Sequence, residues 1–386
     1  MINGDECGNK FPHRALCLHI YVKIFKNKMC VEIKSGMSII SDKMDGALLG
    51  VRNINHKYIV VEGEKSLFLT IVYNLASPGL MAILFFTAGV SSMLSLKKRT
   101  IREFYQNRMQ KILIPGVMGV LFWVPIQSYF TMKNHFDYTG NFLSAWWYFY
   151  SHISSNFYGY DGSFSPSQLW FLLYLGTYVI LSYPVIRRLL SKPGELSNKE
   201  IVSWKSILLL VILNWILSYG TTEETYLAFG LFFLLGLLLY DNQPFYEFTR
   251  KCWKTFSVSA FFINVIASIT LVIIRDIEIW TVSYAICRMI WSTARVSVVL
   301  AAMGAGQIWM DGKGKLLKWL SNNSFNFYFL HMQLLIIVAY YVVTYLAVST
   351  GVQWIAILLA SSVLTIIVNE VMKRLPVFQW LYGLRR

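Results

Sequence analysis

Charge is scarce in this chain: 14% of its residues are Asp, Glu, Lys or Arg, against about 25% in a soluble globular domain. Cysteine is scarce as well. Cys7, Cys17, Cys30, Cys252 and Cys287 are odd in number and form no C-x-x-C pair, so no disulfide framework and no zinc site are implied and no metal is predicted. Gly-x-Ser-x-Gly, His-Glu-x-x-His, Walker and dinucleotide fingerprints are all missing, which removes the motif-based routes to a soluble hydrolase, metalloprotease or nucleotide enzyme. What is abundant is apolar surface. Hydrophobic residues make up 56% and aromatics 16% of the 386 residues, with a mean hydropathy of +0.49. The class this implies is an all-α, polytopic integral membrane protein. The formal charge of +15 raises nucleic acid as a partner, but the basic residues sit in short loops between apolar runs, where they act as topology signals. No nucleic acid is expected; membrane lipids are.

About 20 apolar residues are needed to cross roughly 30 Å of hydrocarbon. Nine stretches qualify as spans: 67–95, 112–130, 168–190, 204–219, 225–241, 256–274, 280–303, 324–347 and 353–372. The first contains Ser77-Pro78-Gly79, where a kink is expected. The chain thus divides into a polar segment, 1–65, without a recognisable signal peptide, and a transmembrane domain, 66–386.

The loops test the count. Those at 96–111, 187–205, 242–255 and 304–319 are basic, as is the tail with Lys373, Arg374, Arg385 and Arg386, whereas 131–167, 220–224, 275–279 and 348–352 carry only Lys133 and Arg275. This alternation places the basic loops and the C-terminus in the cytoplasm of a plasma (inner) membrane protein. Nine spans then leave residue 66 outside; a tenth helix at the start would put both termini inside. The outer loop 131–167 is rich in aromatics, among them Trp146, Trp147, Tyr148, Phe149, Tyr150, Phe157, Tyr158 and Tyr160. It reads either as an interfacial amphipathic segment or as a platform that stacks on sugar rings.

Intramembrane charge costs about 2.5–3.5 kcal/mol per residue on insertion scales, which singles out Arg288 and Arg295. Seven residues apart, they share a helical face about 10 Å apart along the axis. They are capped by backbone carbonyls or by a carboxylate such as Glu370, or they line a polar cavity that receives phosphate, carboxylate or carbonyl oxygens. Arg108 and Lys111, three apart where the second span leaves the cytoplasm, either clamp a diphosphate or anchor the helix by snorkelling. His331, about two turns into its span, is either a general base or a hydrogen-bonded bundle residue. His135 and His152 lie in the outer loop without a partner motif.

Four segments carry a family resemblance: Met81 to Gly89; Ser95 through Phe104-x-x-x-Arg108-x-x-Lys111 to Pro115; Leu169-Trp170-Phe171-Leu172-x-Tyr174-Leu175; and Ser321 to His331. In order and spacing they resemble acyltransferase family 3, the membrane O-acyltransferases that include glucan biosynthesis protein C and enzymes of surface-polysaccharide O-acetylation. The resemblance covers roughly 67–386. It implies about ten membrane helices and transfer of an acyl group, acetyl or succinyl, from a cytoplasmic acyl-CoA co-substrate to a carbohydrate or lipid-linked glycan acceptor of the cell envelope. By the same resemblance Arg108 is the first arginine of an R-x-x-R pair that holds the acyl donor, with Lys111 in the second place, and Gln168, Trp170, Arg288 and Arg295 fall to the substrate pocket. The family's first helix, D-x-L-R followed by a span ending near a catalytic histidine, has no counterpart in 1–65, and Gln168 stands where a histidine is expected before Leu169-Trp170. His331 is the remaining candidate base, and little or no turnover is expected of the chain as it stands. The other readings are a non-catalytic transporter or flippase of an envelope lipid or glycan, built on inverted repeats, and an inactive paralogue that scaffolds envelope enzymes. The sequence names neither the acyl group nor the acceptor nor the oligomeric state.

The alternation of basic loops generates a topological test. Cysteines placed at Tyr160 and Lys315 are expected to react with an impermeant thiol reagent from opposite sides of the membrane; reaction from the same side overturns the orientation.

Overall fold

A computed structural model describes residues 67–153, 162–219, 225–274, 281–309 and 315–376. The predicted segment 1–65, the aromatics Phe157, Tyr158 and Tyr160, and the tail arginines Arg385 and Arg386 lie outside the described residues. In chain order the helices are α1 (Leu67–Leu96), α2 (Ile101–Arg108), α3 (Ile114–Phe122), α4 (Val124–His135), α5 (Phe142–Ser151), α6 (Trp170–Leu181), α7 (Tyr183–Ser191), α8 (Trp204–Ser218), α9 (Tyr226–Leu239), α10 (Gln243–Lys251), α11 (Trp253–Ile274), α12 (Val282–Trp309), α13 (Lys315–Tyr345) and α14 (Thr350–Arg374). Among the described residues the β pairing is an isolated bridge between Ile153 and Phe164. The protein is therefore all-α, as the sequence implies.

Among the described residues six helical segments are long and apolar enough to span a membrane, and up to eight if each of two bent pairs counts as one. The fourth predicted run, 204–219, forms α8, which at 15 residues and 1.5 Å per residue is about 22 Å long, short of the hydrocarbon thickness. The bends have local causes. Pro184 opens α7 after a 49° bend, and α10 leaves α9 at 112°. There Asn242 accepts the Phe245 amide at 2.9 Å and Pro244 follows in the first turn, a cap and a pre-set φ that start a new helix. The basic loop predicted at 242–255 thus holds the amphipathic helix α10. The loop 131–167 holds α5, capped by Asn141 on the Ser144 amide at 2.8 Å; it buries Ala145 and Phe149 and exposes Leu143 and Trp147, the pattern of the interfacial segment.

The described residues form two compact units. The first contains Ser77–Ile101 and Tyr178–Ser321. Within it α1 meets α9 backbone to backbone: a Cβ on Gly89 would strike the Phe233 carbonyl and sit 2.9 Å from the Leu237 nitrogen, and one on Gly236 would strike the Phe86 carbonyl and sit 3.0 Å from the Val90 nitrogen. Around this contact Phe85 stacks on Phe229 at 5.3 Å and meets Tyr178 edge-on at 5.2 Å. Lys97 ties the end of α1 to Asp241 at 3.0 Å. The long helix α12 packs on α8, α10 and α11. Ala267 and Ala294, both fully buried, let α11 and α12 approach, and Trp291 donates to the Ala267 carbonyl at 3.1 Å.

The second unit contains Arg102–Thr177 and the chain from Asn322 onward. Its apolar core joins Phe130 to Met332, Leu335, Ile336, Ala339 and Ile357. On α14 the pattern of a soluble helix is inverted. Ile355, Leu359, Val363, Ile367 and Val371 are exposed, whereas Ser361, Thr365 and Asn369 are buried. Hydrocarbon accepts the apolar stripe, and polar groups must turn inward to find partners. Asn369 donates to Asn323 at 3.0 Å and accepts from Asn326 at 2.8 Å.

The reciprocal glycine contact sets a stability test. Gly236→Val is expected to cost about 1–3 kcal/mol by overpacking, a fall of about 2–4 °C in Tm per kcal/mol, in detergent-solubilised protein. Gly351→Ala, where nothing lies within 4 Å, should leave Tm unchanged or slightly raised. Equal effects of the two would refute the close contact.

Candidate functional site

The first unit gathers the two intramembrane arginines on one residue. Arg288 Nη2 donates to the Ser218 carbonyl at 2.6 Å, and Arg295 Nη1 donates to the Ser218 hydroxyl at 3.2 Å. Their guanidinium groups also lie over rings, Arg288 on Tyr284 at 5.8 Å and Arg295 on Phe229 at 5.2 Å. Ser218 ends α8, where unpaired carbonyls and the negative end of the helix dipole attract cations. Arg288 is thus met by a backbone carbonyl and Arg295 by a hydroxyl. Glu370 bonds instead to Lys373 at 2.9 Å and accepts from Asn369 at 3.2 Å. Beside this site Ser292 donates to the Val211 carbonyl at 2.7 Å and to Asn214 at 3.0 Å, so α12 presents a polar ridge to α8.

In the second unit Arg108 and Lys111 lie at a break in the helical ladder, Arg108 just before it and Lys111 within it. Arg108 ends α2 with its guanidinium over Phe104 at 5.2 Å. Residues Met109–Leu113 form a π turn, closed by the Ile114 amide on the Met109 carbonyl. Its cause is Pro115, which has no N–H to give to the Lys111 carbonyl and whose ring would crowd that carbonyl in an α-helix. The wider turn changes the register between Arg108, which is half-buried, and exposed Lys111. Residues three apart therefore no longer stack as they would in a regular helix.

Gln168, Trp170 and His331 come together through a tyrosine. Ser167–Leu169 make one 3-10 turn ahead of α6. Ser167 stands in the left-handed region at φ 43, uncommon for a non-glycine residue, and its hydroxyl donates to Gln127 at 2.9 Å. Tyr328 donates its hydroxyl to the Gln168 carbonyl at 2.6 Å. The Tyr328 ring lies 6.0 Å from that of His331 and meets Phe171 edge-on at 5.9 Å, while Trp170 packs edge-on against Tyr174 at 5.0 Å. His331 Nδ1 lies 3.0 Å from the Phe327 carbonyl. A carbonyl can only accept, so Nδ1 carries the proton and Nε2 is the basic nitrogen of the neutral ring.

Sequence reasoning missed Ser218, Ser167 and Tyr328. Ser218 carried a weak signal as a hydroxyl at the end of an apolar run; Tyr328 stood inside the Ser321–His331 segment, one turn before the histidine; Ser167 carried none, because a left-handed φ in serine has no sequence mark. Among the described residues no group of three or more His, Cys, Asp or Glu side chains gathers.

No curated protein and no solved structure matches the chain. The model of the acyltransferase domain of acyltransferase family 3 matches residues 54–370, a range that holds Arg108 and Lys111, the Gln168–Trp170 turn, the arginine pair and His331. This multi-pass, all-α membrane protein belongs to acyltransferase family 3.

Proposed function

We propose that the chain transfers an acyl group, acetyl or succinyl, from a cytoplasmic acyl-CoA to a hydroxyl of a carbohydrate or lipid-linked acceptor, with the plasma membrane as its site and its C-terminus in the cytoplasm. The observation that carries this reading within the family is the tautomer of His331. With Nδ1–H bound to the Phe327 carbonyl, Nε2 can take a proton from the acceptor hydroxyl. The hydroxyl oxygen attacks the thioester carbonyl, the tetrahedral oxyanion collapses, and the coenzyme A thiolate leaves and takes the proton from the imidazolium. The Phe327 carbonyl supplies an orienting bond to His331, and this bond is the ground for proposing turnover where the sequence alone led to an expectation of little or none. Arg108, just before the π turn, and Lys111, within it, are assigned to the donor phosphates. Arginine's fork suits a diphosphate, and the exposed lysine adds a point charge. The contacts of Arg288 and Arg295 with Ser218 support a part in shaping the bundle next to the substrate, rather than direct chemistry.

His331→Ala is expected to lower acyl transfer to surface glycan in cells by about 10²–10⁴-fold while leaving coenzyme A binding intact. Transfer that persists at the wild-type rate would move the base to another residue. A charge-assisted contact is worth roughly 1.5–3 kcal/mol, so Arg108→Ala should weaken coenzyme A binding to the purified protein by about tenfold or more. An unchanged dissociation constant would assign Arg108 to topology. Coenzyme A binding by the wild type also separates this reading from a non-catalytic transporter or flippase, which needs no acyl donor.

A further inference from the structure

Four cations of the first unit stand together without an anion. Lys205 lies in the first turn of α8, Arg250 and Lys251 in the last turn of α10, and Lys254 in the first turn of α11. All four are exposed, and among the described residues no ion pair holds any of them. Glu247, also exposed, precedes Arg250 by three residues and Lys251 by four, the spacing at which helical ion pairs form, yet it pairs with neither.

The packing beneath them is fixed. Trp204, 58% exposed, meets Phe248 edge-on at 5.5 Å and Phe256 at 5.7 Å, and those two rings lie 5.8 Å apart. One aromatic floor thus joins the starts of α8 and α11 to α10. Helix α10 is clamped on α12 as well: a Cβ on Gly304 would strike the Thr249 carbonyl, and Gln307 donates to the Thr249 hydroxyl at 3.1 Å. A basic loop that only sets topology needs its charges on one side of the membrane and no fixed arrangement. Here a rigid floor gathers cations from three helices. Like charges held together repel, and Lys205 and Lys254 also stand where the helix dipole disfavours a cation. An anion seated among them relieves both costs.

The neighbouring surface narrows the anion. One turn beyond Lys205 on α8, Leu208 and Leu209 are exposed, and beyond Lys254 on α11 so are Val258 and Phe262. Each helix passes from exposed cation to exposed hydrocarbon surface within a turn, with the Trp204 ring at the boundary. A phospholipid has the same profile, phosphate above and acyl chains below, and basic pockets between membrane helices suit anionic headgroups. A soluble phosphate would meet the cations and leave the apolar faces unmatched. A choline headgroup would bring a cation of its own. We infer that Lys205, Arg250, Lys251 and Lys254 bind the headgroup of an anionic phospholipid whose acyl chains lie on the adjoining faces of α8 and α11. The orientation proposed above puts this lipid in the cytoplasmic leaflet; its chemical class rests neither on that orientation nor on acyl transfer.

The test uses the purified full chain in neutral detergent, titrated separately with phosphatidylglycerol, phosphatidylcholine, glycerol phosphate and coenzyme A. A cation at an anionic lipid surface is worth about fivefold in affinity, so Lys205→Gln combined with Lys254→Gln should weaken phosphatidylglycerol binding by about twentyfold, with coenzyme A affinity unchanged. Arg187→Gln combined with Arg188→Gln removes the same charge from exposed positions of α7 in the same unit and should leave phosphatidylglycerol binding nearly unchanged. The inference is overturned if the two pairs weaken binding equally, which would leave bulk surface charge alone, or if neither weakens it. It is overturned too if the wild type binds phosphatidylcholine as tightly as phosphatidylglycerol, if glycerol phosphate binds as tightly as the lipid, or if coenzyme A affinity falls in place of lipid affinity.

Discussion

Hydrocarbon offers no hydrogen bonds, and this constraint governs the rest of the structure. Every polar group at membrane depth must find a partner inside the protein. Helix α14 shows the result, with Val363 and Ile367 turned outward and Ser361, Thr365 and Asn369 turned in. Asn369 then holds α14 to α13 through Asn323 and Asn326. The arginines of α12 obey the same rule. Two charges that are expensive in lipid are spent on the carbonyl and hydroxyl of Ser218, the end of a helix that has orphan acceptors to offer.

Close packing supplies what the hydrophobic effect cannot supply between helices already in an apolar medium. Gly89 and Gly236 bring α1 and α9 into backbone contact, and Gly304 does the same for α12 against the Thr249 carbonyl of α10. Proline and asparagine then decide where the helices stop being straight. Pro115 converts a turn of the second span into the π turn Met109–Leu113, which follows Arg108 and contains Lys111, and Asn242 with Pro244 turns the chain through 112° after α9. These irregularities lie where backbone groups and charges meet, so the fold's local breaks and its candidate chemistry are the same places.

The sequence by itself determined the class, the positions of nearly all the apolar helices, the family resemblance and the residues worth watching, because hydropathy over about 20 residues is a local property and a basic loop is visible without its neighbours. The only break it signalled was a kink at Ser77-Pro78-Gly79; the bends at Pro184 and Pro244 came from the structure, and α10 and α5 were read as loops, since short amphipathic helices at an interface do not reach the hydropathy of a span. Tertiary structure decided the partners. The contact of Arg288 and Arg295 with the end of α8 depended on Ser218, 70 and 77 positions away, and the partner of the Gln168 carbonyl on Tyr328, 160 positions away. Hydrogen bonds are short and directional, and which donor reaches which acceptor is fixed only when the helices have packed.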